Sequence, residues 1–156
     1  MSKHVCFIGH RDFVNENTEL KDAIEKEILS GASCFTIGTH GKFDEYALYY
    51  CKELSKKYND IEINVVITSL NQIKKQILYN DEWGIEYFTP YKDVKTIMYN
   101  IEEEHFKKRI IESNKKMIDN NDTLICYINP NKKSGGACAT LKYAIKKNIK
   151  IINIYK

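Results

Sequence analysis

The sequence lacks the features that mark membrane proteins and disulfide-linked secreted proteins. It has no run of about 18 apolar residues, so we expect no membrane-spanning segment. Its first residues lead directly into a strand pattern, without the apolar stretch of a signal peptide. Its five cysteines include no Cys-x-x-Cys pair, and Cys6, Cys34 and Cys126 lie within apolar runs typical of strands. This usage predicts reduced, mostly buried thiols and a cytoplasmic protein.

An excess of charge and metal-ligand spacings are also missing. The net charge is only +3, which gives little support to nucleic-acid binding. The four histidines form no His-x-His or His-x-x-x-His pair, so no metal site is predicted. No repeat or low-complexity segment is present. A chain of 156 residues that is 43% hydrophobic can bury an ordinary core, and we expect one domain over residues 1–156.

Strand patterns and helix patterns alternate along the chain. Apolar, β-branched runs predict strands at 4–8, 33–37, 61–68, 123–128 and 150–155. Helical periodicity predicts helices at 16–30, 43–58, 103–120 and 135–148. This order predicts an α/β fold, a Rossmann-like three-layer sandwich with a central, mostly parallel sheet of about five strands. Residues 69–100 are predicted to form an irregular insertion or lid, with aromatic side chains that either build a local core or stack on a base.

The periodicity also predicts which helix positions face the sheet. In the second helix these are Ala47, Leu48, Cys51 and Leu54. In the third they are Phe106, Ile110, Ile111, Asn114, Met117 and Ile118. Asn15 or Asn17 is expected to cap the first helix and Ser134 the last. Gly31 is expected just beyond the first helix, in a left-handed conformation.

Five of the seven glycines follow predicted strands. They are Gly9, Gly38, Gly41, Gly135 and Gly136. Carboxyl ends of parallel strands meet at one sheet edge, and ligands bind there where the strand order reverses. The glycine pair before the last helix would let a ligand reach free helix amides, which favour phosphate. The alternative is that short strand-to-helix turns simply require glycine.

Three segments match a known pattern of motifs. Residues 6–11 (CFIGHR) are similar to an opening motif, and residues 38–44 (GTHGKFD) to a glycine-rich turn ending in Gly-x-Phe-Asp. Residues 134–144 (SGGACATLKYA) are similar to a third motif, and residues 109–122 to the helix before the fourth strand. In order and spacing, nearly the whole chain resembles the YpsA-like family (DUF1273), which belongs to the SLOG superfamily of Rossmann-like domains.

The resemblance implies a nucleotide-type ligand at the strand edge. The superfamily includes the LOG phosphoribohydrolases, which cleave the base from nucleoside 5′-monophosphates, and domains thought to sense NAD- or ADP-ribose-type nucleotides. LOG enzymes carry Pro-Gly-Gly-x-Gly-Thr followed closely by glutamates. Here Gly136 is followed by Ala137, Cys138, Ala139 and Thr140, then by Lys142, and the catalytic glutamate is absent. This departure puts hydrolysis by the LOG mechanism in doubt.

The candidate ligand-binding residues lie in the loops after the first, second and fourth predicted strands. They are Gly9, His10, Arg11, Gly38, Thr39, His40, Gly41, Ser134, Gly135, Gly136, Ala137 and Thr140. A guanidinium can pair with a phosphate, and a histidine can bind a base or ribose or exchange protons near neutral pH. The alternatives are a solvated arginine and loop histidines held by the backbone.

Further candidates lie on the helices. Asp44 and Glu45 are the tentative catalytic residues, because a carboxylate can bind ribose hydroxyls or stabilise an oxocarbenium ion. Their alternative role is to complement the helix dipole. Arg109 and Asn114 are candidates to face the cleft from the third helix. Cys138 lies one turn into the last helix, but no histidine is near it in sequence, so it is not expected to be a nucleophile.

Two functions stay open from the sequence. The favoured one is binding, for sensing or sequestration, of a nucleotide-derived small molecule of NAD, ADP-ribose or nucleoside-phosphate type. The alternative is an N-glycosidic hydrolase acting on a nucleotide. Beyond that ligand, no cofactor, membrane or nucleic-acid partner is expected, since a basic stripe with interleaved aromatics is missing. The oligomeric state is not determined by the sequence, and a homo-oligomer is among the states it allows.

Overall fold

Six parallel strands form one sheet in the computed structural model, which describes residues 3–15, 18–69, 94–102 and 105–156. The strands are β1 (Lys3–Gly9), β2 (Ala32–Ile37), β3 (Glu62–Val66), β4 (Lys95–Ile97), β5 (Thr123–Tyr127) and β6 (Lys150–Asn153). The described helices are α1 (Glu19–Leu29), α2 (Lys42–Lys57), α3 (Phe106–Asp119) and α4 (Gly136–Lys146). The predicted α/β class and Rossmann-like sandwich are confirmed.

The strand order is β4-β3-β2-β1-β5-β6, and it reverses direction at β1. On one side β1 pairs with β2, where Val5 lies opposite Phe35. On its other side β1 pairs with β5, where Val5 lies opposite Thr123 and Gly9 opposite Tyr127. The loops that leave β1 and β5 therefore start side by side and lead to helices on opposite faces. A crevice forms between such loops, and this crevice holds the candidate site.

The side chains of β1 alternate between two hydrophobic layers. Val5 and Phe7 pack with α1 and α2, in a cluster where the Phe7 ring centroid lies 6.2 Å from that of Phe35. Cys6 and Ile8 point to the opposite face, which is covered by α3 and α4. All four side chains are at most 5% exposed, as expected for a parallel sheet with helices on both faces. Burial on both faces holds the ends of β1 and β5 firmly in place.

Several sequence expectations about the elements are confirmed. The four predicted inward positions of α2 are buried: Ala47, Leu48, Cys51 and Leu54. All five cysteines are buried and free. Gly31 follows α1 with φ of +106°, in the left-handed region where a side chain would be strained. Met117 and Ile118 of α3 are each 1% exposed, as their periodicity predicted.

Other expectations are corrected. The sheet has six strands rather than five, because β4 forms within the segment predicted to be irregular and pairs with β3. The N-cap of α1 is Thr18, and the Asn15 amide instead donates a 2.5 Å hydrogen bond to the Tyr50 hydroxyl. Phe106 was predicted to face inward but is 58% exposed; it is the first residue of α3, and its ring meets the His40 ring edge-on with centroids 6.0 Å apart.

Some predictions fall outside the described residues. These are the lid with its aromatic side chains, within residues 70–93, and the capping role of Asn17. In the described ranges, no helix combines the length and apolar character needed to cross a membrane.

Candidate functional site

A cavity of about 750 Å³ lies at the carboxyl ends of β1 and β5. Its wall is built from the loop after β1, the β2–α2 loop, the first turns of α3 and the segment that enters α4. A second cavity of about 400 Å³ lies beside α3, between residues 100–102 and side chains such as Lys108 and Glu112. Of these two cavities, the larger one lies at the reversal of strand order. Ten of the residues predicted from sequence line it: Gly9, His10, Arg11, His40, Asp44, Asn114, Ser134, Gly135, Gly136 and Ala137.

The N-terminus of α4 opens into this cavity. Its N-cap is Gly135, with φ of +109°, and no side chain caps the helix; the predicted Ser134 cap is therefore wrong. The cap position is occupied by a glycine because the chain turns through a left-handed conformation there. The first amides of a helix have no acceptor within it, and the first turn of α4 contains no acidic residue. Within the described ranges no side chain bonds to these first N–H groups, so the helix end presents N–H donors and a positive dipole end to the cavity.

Cationic side chains from three separate elements line the same cavity. They are Arg11 from the loop after β1, Lys107 from the first turn of α3, and Lys132 from the loop before α4. Lys107 is unfavourably placed for its own helix, because the N-terminal end of a helix dipole favours acids. The negative side chains on the wall are Asp12 and Asp44. The charge of the wall therefore favours an anion near α4.

Of the two acidic groups on the described wall, Asp44 is the one whose surroundings differ from those of a surface carboxylate. It lies in the first turn of α2, is half-buried, and its Oδ2 accepts the backbone N–H of His40 at 2.9 Å. Burial raises the pKa of Asp44 from 3.8 to about 7; the hydrogen bond from His40 opposes that rise, Glu45 adds to it and Arg11 opposes it. A carboxyl group that titrates near neutral pH can both donate and accept a proton.

Both predicted histidines line the cavity and are held by hydrogen bonds. His10 is 8% exposed, and its Nε2 accepts the backbone N–H of Asn129 at 2.9 Å. This bond requires an unprotonated Nε2, which places the proton of the neutral ring on Nδ1. Nε2 of His40 lies 3.1 Å from the Thr68 hydroxyl oxygen. Burial lowers the pKa of both imidazoles, with Lys132 contributing at His10 and Arg11 at His40.

The five predicted edge glycines fall into two groups. A Cβ at Gly9 would overlap Phe43, lying 2.6 Å from its Cβ and closer to its ring. A Cβ at Gly38 would lie 2.8 Å from Oδ2 of Asp44, and one at Gly41 would lie 2.8 Å from Cα of Arg11. These three glycines serve close packing. By contrast, a Cβ at Gly135 meets nothing within 4 Å in the described chain, and one at Gly136 meets Ile111 at 3.5 Å, an ordinary contact.

Other predicted residues do not line the cavity. The Thr39 hydroxyl donates to the Val66 carbonyl at 3.1 Å, and Thr140 is fully buried with its hydroxyl donating to the Gly136 carbonyl at 2.9 Å. Both side chains are therefore used within the fold.

The same applies to two of the charged candidates. Glu45 is exposed and lies 3.3 Å from Nζ of Lys42. Nη2 of Arg109 donates to the Thr68 carbonyl at 2.8 Å, which directs this guanidinium to the end of β3. Asp44 is thus the tentative catalytic residue that the cavity contains.

Three charged residues on the wall were not predicted. Asp12 directly follows a predicted motif and Lys132 precedes another, so proximity to the motifs was an available signal. Lys107 carried no such signal, because its position depends on how α3 packs across the sheet.

The chain's own geometry carries the functional interpretation. No protein-family model matches the sequence, and no curated protein is significantly similar to it. Within the described ranges, no group of three or more His, Cys, Asp or Glu side chains is placed to hold a metal ion. The arrangement can bind an anion at α4 and can hold a titratable carboxyl group elsewhere on the same wall.

Proposed function

We propose that the protein binds a nucleotide-derived small molecule, of NAD, ADP-ribose or nucleoside-phosphate type, at the carboxyl edge of the sheet. The observation that carries the proposal is the N-terminus of α4, which enters the cavity through Gly135 and Gly136 without a side-chain cap. A phosphate oxygen can approach within about 3 Å of such amides because the two glycines place no side chain of their own in the path.

The size and lining of the cavity support a ligand larger than inorganic phosphate. Its volume of about 750 Å³ lies within the range of roughly 300–1,000 Å³ typical of small-molecule sites. Ile8, Ile110 and Ile111 add apolar surface beside the charged groups. A nucleotide combines an anionic phosphate with a flat, weakly polar base, so it matches both parts of the wall.

Binding without turnover is the form of the proposal that we favour. The chain resembles the SLOG superfamily in its phosphate-type loop but lacks the glutamate that follows this loop in LOG enzymes. A protein with this combination would sense or sequester its ligand.

The test is to identify what the protein carries. Purified protein is denatured and the released small molecules are analysed by mass spectrometry, with titration calorimetry of the identified compound on fresh protein. An intact nucleotide derivative that rebinds supports the proposal. The proposal fails if no nucleotide is released and calorimetry detects no binding of NAD, ADP-ribose or nucleoside monophosphates.

A second candidate, an N-glycosidic hydrolase, is favoured by one observation. Asp44 lines the cavity and burial raises its pKa to about 7, so it can act as an acid or base in the neutral range. If the protein hydrolyses the ligand, incubation with nucleoside 5′-monophosphates or NAD releases free base, and Asp44→Asn abolishes the release. A nucleotide that binds without any turnover by the wild-type protein rules this candidate out.

A further inference from the structure

We propose that Asp44 is a protonation-dependent selector of the anion site: its neutral carboxyl group permits an anionic ligand to enter, and its carboxylate repels one. The selector rests on the proposed function, because it acts in the same cavity. It adds a regulatory property: affinity for a ligand of fixed negative charge should fall as pH rises through the neutral range.

The position of the Asp44 side chain is the first observation that supports this proposal. The carboxyl group packs over the end of β2, where the missing side chain of Gly38 leaves room for Oδ2. A Cβ at Gly38 would lie 2.8 Å from that oxygen, so an alanine there would displace the carboxyl group. The position is therefore built into the β2–α2 turn, where the carboxyl group is half-buried and borders the cavity.

The hydrogen bonding of this carboxyl group is the second support. Within the described chain, the donor that reaches it is the backbone N–H of His40, at 2.9 Å from Oδ2. An ionised carboxylate offers about four acceptor positions, and one amide replaces only a fraction of the water that burial removes. The site thus stabilises the neutral form, and burial raises the pKa of Asp44 to about 7.

The charged and titratable groups around Asp44 do not remove the effect. Arg11 from the loop after β1 favours the carboxylate, and Glu45 on the same helix disfavours it. His40 lies beside it, and burial together with Arg11 lowers the pKa of its imidazole, which favours the neutral ring. The other titratable groups on the cavity wall are His10, Asp12, Lys107, Lys132 and Cys138. A bound anion adds a negative charge to this set, so it should raise the pKa of Asp44 further and draw a proton into the complex.

The test measures the affinity of wild-type protein for inorganic sulfate by calorimetry between pH 6.5 and 8.5. Sulfate remains a dianion throughout this range, so its own titration does not contribute. We expect wild-type affinity to fall by about threefold to tenfold over this range, the effect of one like charge across a solvated cavity. Asp44→Asn, which keeps the shape and lacks the charge, should bind with affinity independent of pH and close to that of wild type at pH 6.5.

Two further variants test whether the pH dependence of binding comes from Asp44 or from a neighbouring group. His40→Gln retains the backbone N–H and removes a titrating ring, and it should preserve the pH dependence of wild type. Gly38→Ala displaces the carboxyl group towards solvent, and it should move the midpoint to lower pH. As an independent readout, calorimetry in buffers of different ionisation enthalpy should detect proton uptake on binding by wild type and none by Asp44→Asn.

The outcomes distinguish this inference from the proposed function. Sulfate binding that is independent of pH in wild type, or that depends on pH equally in Asp44→Asn, overturns the selector and leaves the anion site in place. Absence of sulfate binding at every pH, in both proteins, overturns the anion site and the selector with it.

Discussion

The β2–α2 loop and the β5–α4 loop, whose strands flank β1 in the sheet, use glycine for opposite purposes. In the β2–α2 loop, and at Gly9 beside it at the end of β1, a neighbouring group occupies the space that a side chain would need. This applies to Gly9, Gly38 and Gly41, where the missing side chain allows elements to pack closely. At the β5–α4 loop, Gly135 borders open space and Gly136 makes one ordinary contact. Both loops belong to the same sheet edge and the same cavity wall.

This difference divides the site into two parts. We call Gly9, Gly38 and Gly41, with the groups packed against them, the frame of the site, and the entry to α4 at Gly135 and Gly136 its opening. Phe43 packs over Gly9 with a ring that is 1% exposed, which fixes α2 against the end of β1. The entry to α4 has no such contact in the described chain, where the space beside Gly135 is open. The structural requirement of strand-to-helix turns therefore accounts for the three packed glycines and, through its positive φ, for Gly135. At Gly136 no such requirement applies, and there we propose ligand approach as the reason for glycine.

The largest expected effect is a loss of folding stability on substitution of a frame glycine. Gly9→Ala forces a Cβ into Phe43, whose ring is enclosed by the main core and has no space to move into. We expect a loss at or above the upper end of the roughly 1–3 kcal/mol typical of overpacking, measured by urea denaturation.

A double variant tests the cause of that loss. Gly9→Ala combined with Phe43→Leu should be less destabilised than the sum of the two single variants, because the smaller side chain relieves the overlap. Strict additivity would show that Phe43 is not the group that excludes a side chain at position 9.

The next effect is on binding. Arg11 is exposed and lines the cavity, while its backbone carbonyl accepts Lys42 N–H at 3.3 Å independently of its side chain. Arg11→Ala should weaken binding of a phosphorylated ligand by about 1.5–3 kcal/mol, as for a charged hydrogen bond, and should barely change the melting temperature.

A neighbouring pair of lysines provides the control for charge alone. Lys132 lines the cavity, whereas Lys133 is exposed and is not part of the described wall. Lys132→Ala should weaken binding and Lys133→Ala should not. Equal losses would indicate general attraction of anions to a basic surface instead of contact at the site.

The smallest expected effect comes from replacing either of two glycines that have nearly the same positive φ. Gly31 has φ of +106° and Gly135 φ of +109°, and a Cβ at either meets nothing within 4 Å among the described residues. Alanine at either position should cost about 1–2 kcal/mol of stability by thermal or urea denaturation. Gly135→Ala should also weaken ligand binding, whereas Gly31→Ala, beyond α1, should not; equal affinities would contradict a role for the α4 entrance.

The sequence predicted local features better than those that depend on packing between distant segments. Ala47, Leu48, Cys51 and Leu54 were assigned correctly because helical periodicity reports which face is buried. β4 was missed because it has three residues, two of them exposed, and so carries almost no apolar signal. Phe106 was assigned wrongly because periodicity does not show whether the first residue of a helix has a neighbouring element to cover it.

The candidate site shows the same limit. Its location followed from the alternation of strands and helices together with glycine placement, and ten predicted residues line the cavity. The contact of Gly9 with Phe43 and the bond from Asn129 to His10 join residues far apart in the chain, so no local pattern could reveal them. Thr140 looked suitable in sequence but uses its hydroxyl within α4.

The most direct test of the account is Gly136→Val, with melting temperature and affinity for the ligand measured on the same preparation. A Cβ at this position meets Ile111 Cγ1 at 3.5 Å, an ordinary contact, so we expect the folded state to survive the substitution without a large fall in melting temperature. The branched side chain would stand where a phosphate must approach the α4 amides, so binding should be lost. A mutant that melts far below wild type, or one that binds normally, would contradict the assignment of this loop as the anion site.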